Sequence, residues 1–137
     1  MSKLILLIED HEDQRIVVSR YLEFAGARVL YAADGETGVW MAAEYIPDLV
    51  LLDMRLPGLD GWAVMKRLQS HPDTSGIPVV ALTGLDLPAE ELEAAGFCGY
   101  LQKPLTPYNV LEEVERCLGR ISDTEGYRLR SLLSDDR

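Results

Sequence analysis

Apolar and polar positions alternate along this chain in blocks of regular length. "KLILLI" (3–8) is a short continuous apolar run, the pattern of a strand buried on both faces. Residues 12–25 switch to helical spacing, with Ile16, Val17, Tyr21, Leu22 and Phe24 on the expected buried side, and Gly26 ends the helix. "RVLYA" (28–32) predicts a second strand and 35–45 a second helix that stops before Pro47. "DLVLLD" (48–53) predicts a third strand, 60–70 a third helix and "IPVVALT" (77–83) a fourth strand. Pro88 opens a short helix reaching Ala95, which Gly96 ends. "GYLQK" (99–103) is a weaker fifth strand. "TPYNVLEEVERCL" (106–118) is a fifth helix, with Thr106 as N-cap and Pro107 in its first turn.

Five strands alternating with five helices imply a doubly wound parallel α/β sheet covered on both faces. Ligands of such sheets bind beyond the carboxyl ends of the strands. Glu9 and Asp10 follow the first strand, Asp53 ends the third, Thr83 and Gly84 end the fourth, and Lys103 and Pro104 follow the fifth. One sheet edge thus receives three acids, a hydroxyl and an ammonium. Glu9, Asp10 and Asp53 repel one another unless a cation intervenes. Mg²⁺ suits them, because it takes oxygen ligands and often uses one or two carboxylates plus a phosphate. Lys103 and Thr83 are the groups that stabilise a transferring phosphoryl group. A carboxylate is a competent nucleophile toward phosphorus, and Asp53 is the best placed, ending the central apolar strand before "MRLPGLDG".

Composition narrows the function. Of 137 residues, 47% are hydrophobic, which predicts one globular domain rather than a disordered chain. The net charge is −10, and the last nineteen residues hold four charges of each sign, so the whole excess sits in residues 1–118. That balance argues against nucleic acid and anionic membrane as partners. No apolar run approaches the ~20 residues of a membrane span. "MSKLILLIED" is cut short by acids and lacks a small-residue cleavage site, so the expected location is the cytoplasm. Cys98 and Cys117 are too few for a zinc site and are expected to be free thiols. His11 and His71 read as isolated structural residues.

The pieces "ED" (9–10), "LLDMRLPGLDG" around Asp53, "VVALTG" around Thr83 and "YLQKP" around Lys103, in order and each at a strand end, resemble the receiver domain of bacterial two-component response regulators. The resemblance covers residues 3–118. It implies a CheY-like, flavodoxin-like fold with strand order 2-1-3-4-5 and a switch operated by phosphorylation. Asp53 would be the phospho-acceptor, fed by a sensor histidine kinase or histidine phosphotransfer protein. Asp10, Asp53 and the backbone carbonyl of Arg55 would bind Mg²⁺, with Glu9 acting through water. Thr83 would bond the phosphoryl group, and Lys103 would pair first with Asp53 and then with that group. Tyr100 matches the aromatic that turns inward with the Thr. A cis peptide is expected before Pro104. The face built by the fourth helix, fifth strand and fifth helix would then be read by a downstream protein. Gly84 stands where the family usually has Ala, which loosens that loop. Arg55 and Leu85 flank the path of attacking water and would tune phosphate lifetime.

Two other functions are disfavoured by named residues. A phosphatase of the haloacid-dehalogenase type needs a second Asp two positions after its nucleophile, where this chain has Arg55. A flavodoxin would cradle phosphate in its first loop, and "EDHED" repels phosphate. Residues 119–137 supply neither the length nor the basic face of a DNA-binding effector. Tyr127, Leu129, Leu132 and Leu133 leave two readings open for this tail, a helix extension that supports a homodimer or disorder.

Overall fold

The computed structural model describes residues 2–84, 89–119 and 121. Strands β1 (Leu4–Ile8), β2 (Arg28–Ala32), β3 (Leu49–Asp53), β4 (Val79–Thr83) and β5 (Gly99–Gln102) form one parallel sheet in the order β2-β1-β3-β4-β5. The described residues also form helices α1 (Glu12–Phe24), α2 (Gly35–Tyr45), α3 (Gly61–Gln69), α4 (Ala89–Ala94) and α5 (Pro107–Leu118). Every element expected from the hydrophobic pattern is there. Leu85, Pro88 and the tail residues Tyr127, Leu129, Leu132 and Leu133 lie outside the described residues.

The central strands are continuously apolar because both of their faces are buried. Ile5, Leu7, Leu49, Leu51, Val80 and Leu82 pack with Val18 and Leu22 of α1 and Val110, Leu111 and Val114 of α5. Their neighbours Leu6, Ile8, Val50, Leu52, Val79 and Ala81 point the other way, onto Ala42 of α2, Val64 and Leu68 of α3 and Leu92 of α4. Each fully buried Leu or Ile contributes about 1.5–3 kcal/mol relative to exposure. The edge strands are less covered, and in β5 Leu101 alone is buried. Side-chain caps start three helices where the sequence supplies them. Asp34 accepts from the Thr37 N–H (2.8 Å), Asp60 from the Ala63 N–H (2.9 Å) and Thr106 from the Asn109 N–H (3.1 Å).

Two expectations are corrected. In α1 the buried residues are Val18 and Leu22, whereas Ile16, Val17 and Phe24 are 43–46% exposed. The helix carries more apolar residues than one sheet-facing stripe can hold. At 100° per residue, Val17 and Phe24 share a flank about a quarter turn or more away from the Val18–Leu22 stripe. The cysteines are not free thiols: Cys98 and Cys117 are joined in a disulfide, with Cα atoms 6.0 Å apart. They are 19 residues apart in sequence, but α5 runs back beside β5 and brings its last turn next to the residue that precedes that strand. Beyond α5, Ile121 is fully buried in the core on the α1/α5 side, so the packed unit reaches past Leu118.

Gly61 opens α3 directly against the loop that follows Asp53. A Cβ added there would lie 2.6 Å from Met54 Cα, so backbone would have to move. Gly61→Ala should therefore lower the unfolding free energy by about 1–3 kcal/mol. Gly76→Ala, at a site with open space around it, should change it by less than about 0.5 kcal/mol. Urea denaturation of the two variants checks the contrast; equal stability would contradict the packing account.

Candidate functional site

The ladder registers bring the candidate residues together. Ile8 pairs with Leu52, which sets Glu9 and Asp10 level with Asp53, and Thr83 pairs with Gln102, one residue before Lys103. The Lys103 N–H donates to the Thr83 carbonyl at 2.7 Å, and the Lys103–Pro104 peptide bond is cis. Glu9, Asp53 and Thr83 are buried, each with 2% exposure or less. Lys103 Nζ lies 2.9 Å from Glu9 Oε1 and 3.4 Å from Asp53 Oδ2, so one ammonium bridges both carboxylates, with the shorter contact to Glu9. The Arg55 N–H donates to Asp53 Oδ1 at 3.0 Å while the Arg55 side chain faces solvent. Gly84 is exposed, and its Cβ position is open. His11, Asp53, Arg55, Gly84 and Lys103 line one open depression over the sheet edge.

Two residues enter the site that the sequence alone assigned no part. His11 Nδ1 is 3.1 Å from Glu9 Oε2 and 3.3 Å from Asp10 Oδ1. One ligand atom each from Glu9, Asp10, His11 and Asp53 can be chosen so that all lie within 4.8 Å of one another. Arg15, from the first turn of α1, donates to the Glu9 carbonyl at 2.9 Å and lies over the Tyr31 ring at 5.2 Å. The signal for His11 was its position directly after the acidic pair. Tyr100, by contrast, sits apart from this cluster on β5 and is 38% exposed.

The electrostatics follow from burial. Desolvation, reinforced by the hydrogen bond and charge of Asp53, raises the Glu9 carboxyl above its ordinary value of 4.5 against the opposing pull of Lys103. Burial acts to lower the Lys103 ammonium, but the Glu9 hydrogen bond and the Asp53 and Glu9 charges hold it above 10.5. Among the described residues Asp10 Oδ1 is buried with no hydrogen-bond partner, its contact with His11 Nδ1 being the 3.3 Å charge pairing above. An orphaned carboxylate oxygen beside two further carboxylates is a donor set that fits a hard divalent cation.

The family profile described as "Response regulator receiver domain" matches residues 5–115. The chain belongs to this family. It is 36% identical over 107 residues to the response regulator PleD of Caulobacter vibrioides, covering 77% of this chain and 24% of PleD. It is 32% identical over 116 residues to protein PilH of Pseudomonas aeruginosa, covering 83% of this chain and 96% of PilH. The chain thus spans only a quarter of PleD but nearly all of PilH. Among solved structures it superposes, with TM-score 0.79 and 30% identity over 87% of this chain and 99% of the other, on the receiver domain of the sensor histidine kinase PA1611 from Pseudomonas aeruginosa. That structure has a magnesium ion coordinated in its active-site cleft. Receiver domains act as signalling switches between histidine kinases and downstream targets, and the Glu9–Asp10–Asp53 cluster of this one fits the family's Mg²⁺ site. No helix among the described residues is long and apolar enough to cross a membrane.

A raised carboxyl pKa in the fold means that Glu9 favours the native state when protonated. Its contribution is full below 4.5 and is lost as pH rises through the raised folded value. In divalent-free buffer at pH 7, Glu9→Gln should therefore melt higher than wild type, and the gap should close toward pH 4. Thermal unfolding across that range checks it; a lower melting point for the variant at pH 7 would contradict the assignment. Lys103 follows the same sign in a higher window: its contribution is full below 10.5 and is lost as pH rises through its raised folded value.

Proposed function

We propose that this receiver domain is a phosphorylation-operated switch whose phospho-acceptor is Asp53. The observation that carries the reading is the convergence of Asp10, Glu9 and Lys103 on a buried carboxylate at the end of the central strand. Mg²⁺ would be held by Asp10, Asp53 and the Arg55 carbonyl, with Glu9 acting through water. When bound it offsets the negative charge that accumulates between the acceptor and the phosphoryl oxygens.

The donor is a phosphohistidine on a sensor kinase or histidine phosphotransfer protein. The Asp53 carboxylate attacks phosphorus in line, the P–N bond to the donor imidazole breaks, and an acyl phosphate forms on Asp53. Lys103, already within 3.4 Å of Asp53, follows the charge onto the phosphoryl oxygens. The domain carries these groups itself, so small phosphodonors serve as well, and water entering past Arg55 attacks the acyl phosphate, releasing inorganic phosphate and restoring the Asp53 carboxylate. The phosphoryl group then recruits the Thr83 hydroxyl. Tyr100, exposed in the present state, turns inward with it, and the α4-β5-α5 face changes for a downstream protein. A ligand shifts two states only through contacts that differ between them, and the Thr83 and Lys103 bonds are those contacts. Lys103 and Thr83 therefore link the chemistry to the surface.

Incubation with Mg²⁺ and acetyl phosphate should add one phosphoryl group to wild type and none to Asp53→Asn, read by intact mass. Equal labelling of both would sink the assignment. Asp10→Ala should lose most of the labelling and most of the rise in melting temperature that Mg²⁺ gives wild type. Glu12→Ala, in the exposed first turn of α1, should keep both. If the two variants behaved alike, the division of this acidic segment into site and helix start would be wrong.

A further inference from the structure

The Cys98–Cys117 pair lies outside the phospho-acceptor site and is not needed to complete the core. Two apolar clusters already fill both sides of the sheet, so this is not a small domain that depends on a disulfide for folding. Cys98 precedes β5, with its N–H on the Val79 carbonyl at 2.8 Å, and Cys117 is in the last turn of α5. The loop that their bond closes contains β5, Lys103, Pro104 and nearly all of α5.

Arg116 spans the junction. Its Nη2 donates to the Cys98 carbonyl at 2.7 Å and to Glu113 Oε2 at 2.7 Å, and lies 3.6 Å from Cys117 Sγ. A guanidinium beside a sulfur favours its thiolate, the form that attacks disulfides. Both cysteines are half-buried, and Cys98 lines a surface groove with Leu92, Glu93, Tyr100, Glu113 and Arg116. Both residues thus keep part of their surface in solvent, and Cys98 opens onto that groove.

We infer that Cys98 and Cys117 are a reversible thiol–disulfide site whose substrate class is low-molecular-weight disulfides and thiols of the glutathione type. In oxidation, the Cys117 thiolate attacks one sulfur of the small disulfide and expels one thiolate. The Cys98 thiolate then attacks the Cys117 sulfur of the mixed disulfide and expels the second. Two protein thiols are oxidised, one small disulfide is reduced to two thiols, and the two protons pass to those thiols. Excess small thiol reverses both steps. The oxidised form ties α5 to the base of β5 and so restrains the face on which Tyr100 sits; relevance of that restraint to signalling rests on the phospho-acceptor reading.

The test uses the full chain in buffers of stepped glutathione to glutathione-disulfide ratio, with thiols counted by alkylation and mass spectrometry. The expected result is joint, reversible conversion between two thiols and none within that series. Two persistent thiols in glutathione disulfide alone, or accumulation of the mixed disulfide, would overturn the site. Arg116→Gln should slow re-oxidation at pH 7 about tenfold and move its pH profile upward; an unchanged profile would remove Arg116 from the account. Amide exchange in residues 98–118 should be at least several-fold faster in the reduced protein. It should be equally fast under both conditions in the Cys98→Ser/Cys117→Ser variant. No difference in wild type, or the same difference in the variant, would overturn the clamp. Acetyl phosphate labelling of Asp53 is scored separately, so its failure would count against the phospho-acceptor and leave the thiol result standing.

Discussion

The ammonium of Lys103 between Glu9 and Asp53, at 2.9 and 3.4 Å, is the contact on which the rest of this structure depends. Two carboxylates are buried there at the ends of neighbouring parallel strands, with Asp10 beside them. Burial in a low-dielectric setting makes their repulsion costly, and a single positive charge from the far side of the sheet offsets it only in part. The rise in the Glu9 carboxyl pKa is the visible remainder of that cost. A site left short of positive charge is one that gains from a cation.

Holding such a cluster requires a rigid platform. The continuous apolar runs of β1, β3 and β4 supply it, because burial on both faces fixes each strand end against its neighbours. Rigidity falls off toward β5, an edge strand with one buried residue. The same edge carries Tyr100, leads into Lys103 and begins beside the disulfide. The charge cluster thus sits at the ends of the doubly buried strands, and Tyr100 sits on an edge strand with one buried residue.

The sheet and the site were legible in the sequence for a common reason. Unbroken apolar runs mark doubly buried strands, and a parallel sheet gathers the carboxyl ends of all its strands at one edge. Glu9, Asp10, Asp53, Thr83 and Lys103 could therefore be placed together from order alone. The failures came where side-chain direction or long-range path decides. In α1 the surplus of apolar residues hid which stripe faces the sheet, and Val18 was passed over for Ile16, Val17 and Phe24. The pairing of Cys98 with Cys117 depends on where α5 runs in space, which spacing does not encode. His11 looked isolated because its partners are the two acids just before it.

The central claim is that one carboxylate, Asp53, accepts the phosphoryl group. Borohydride reduction of protein treated with acetyl phosphate and Mg²⁺ converts an acyl-phosphorylated aspartate to homoserine, which peptide mass spectrometry can locate. The account predicts that change at position 53 alone. Its appearance at Asp10 or elsewhere, with position 53 unmodified, would contradict it.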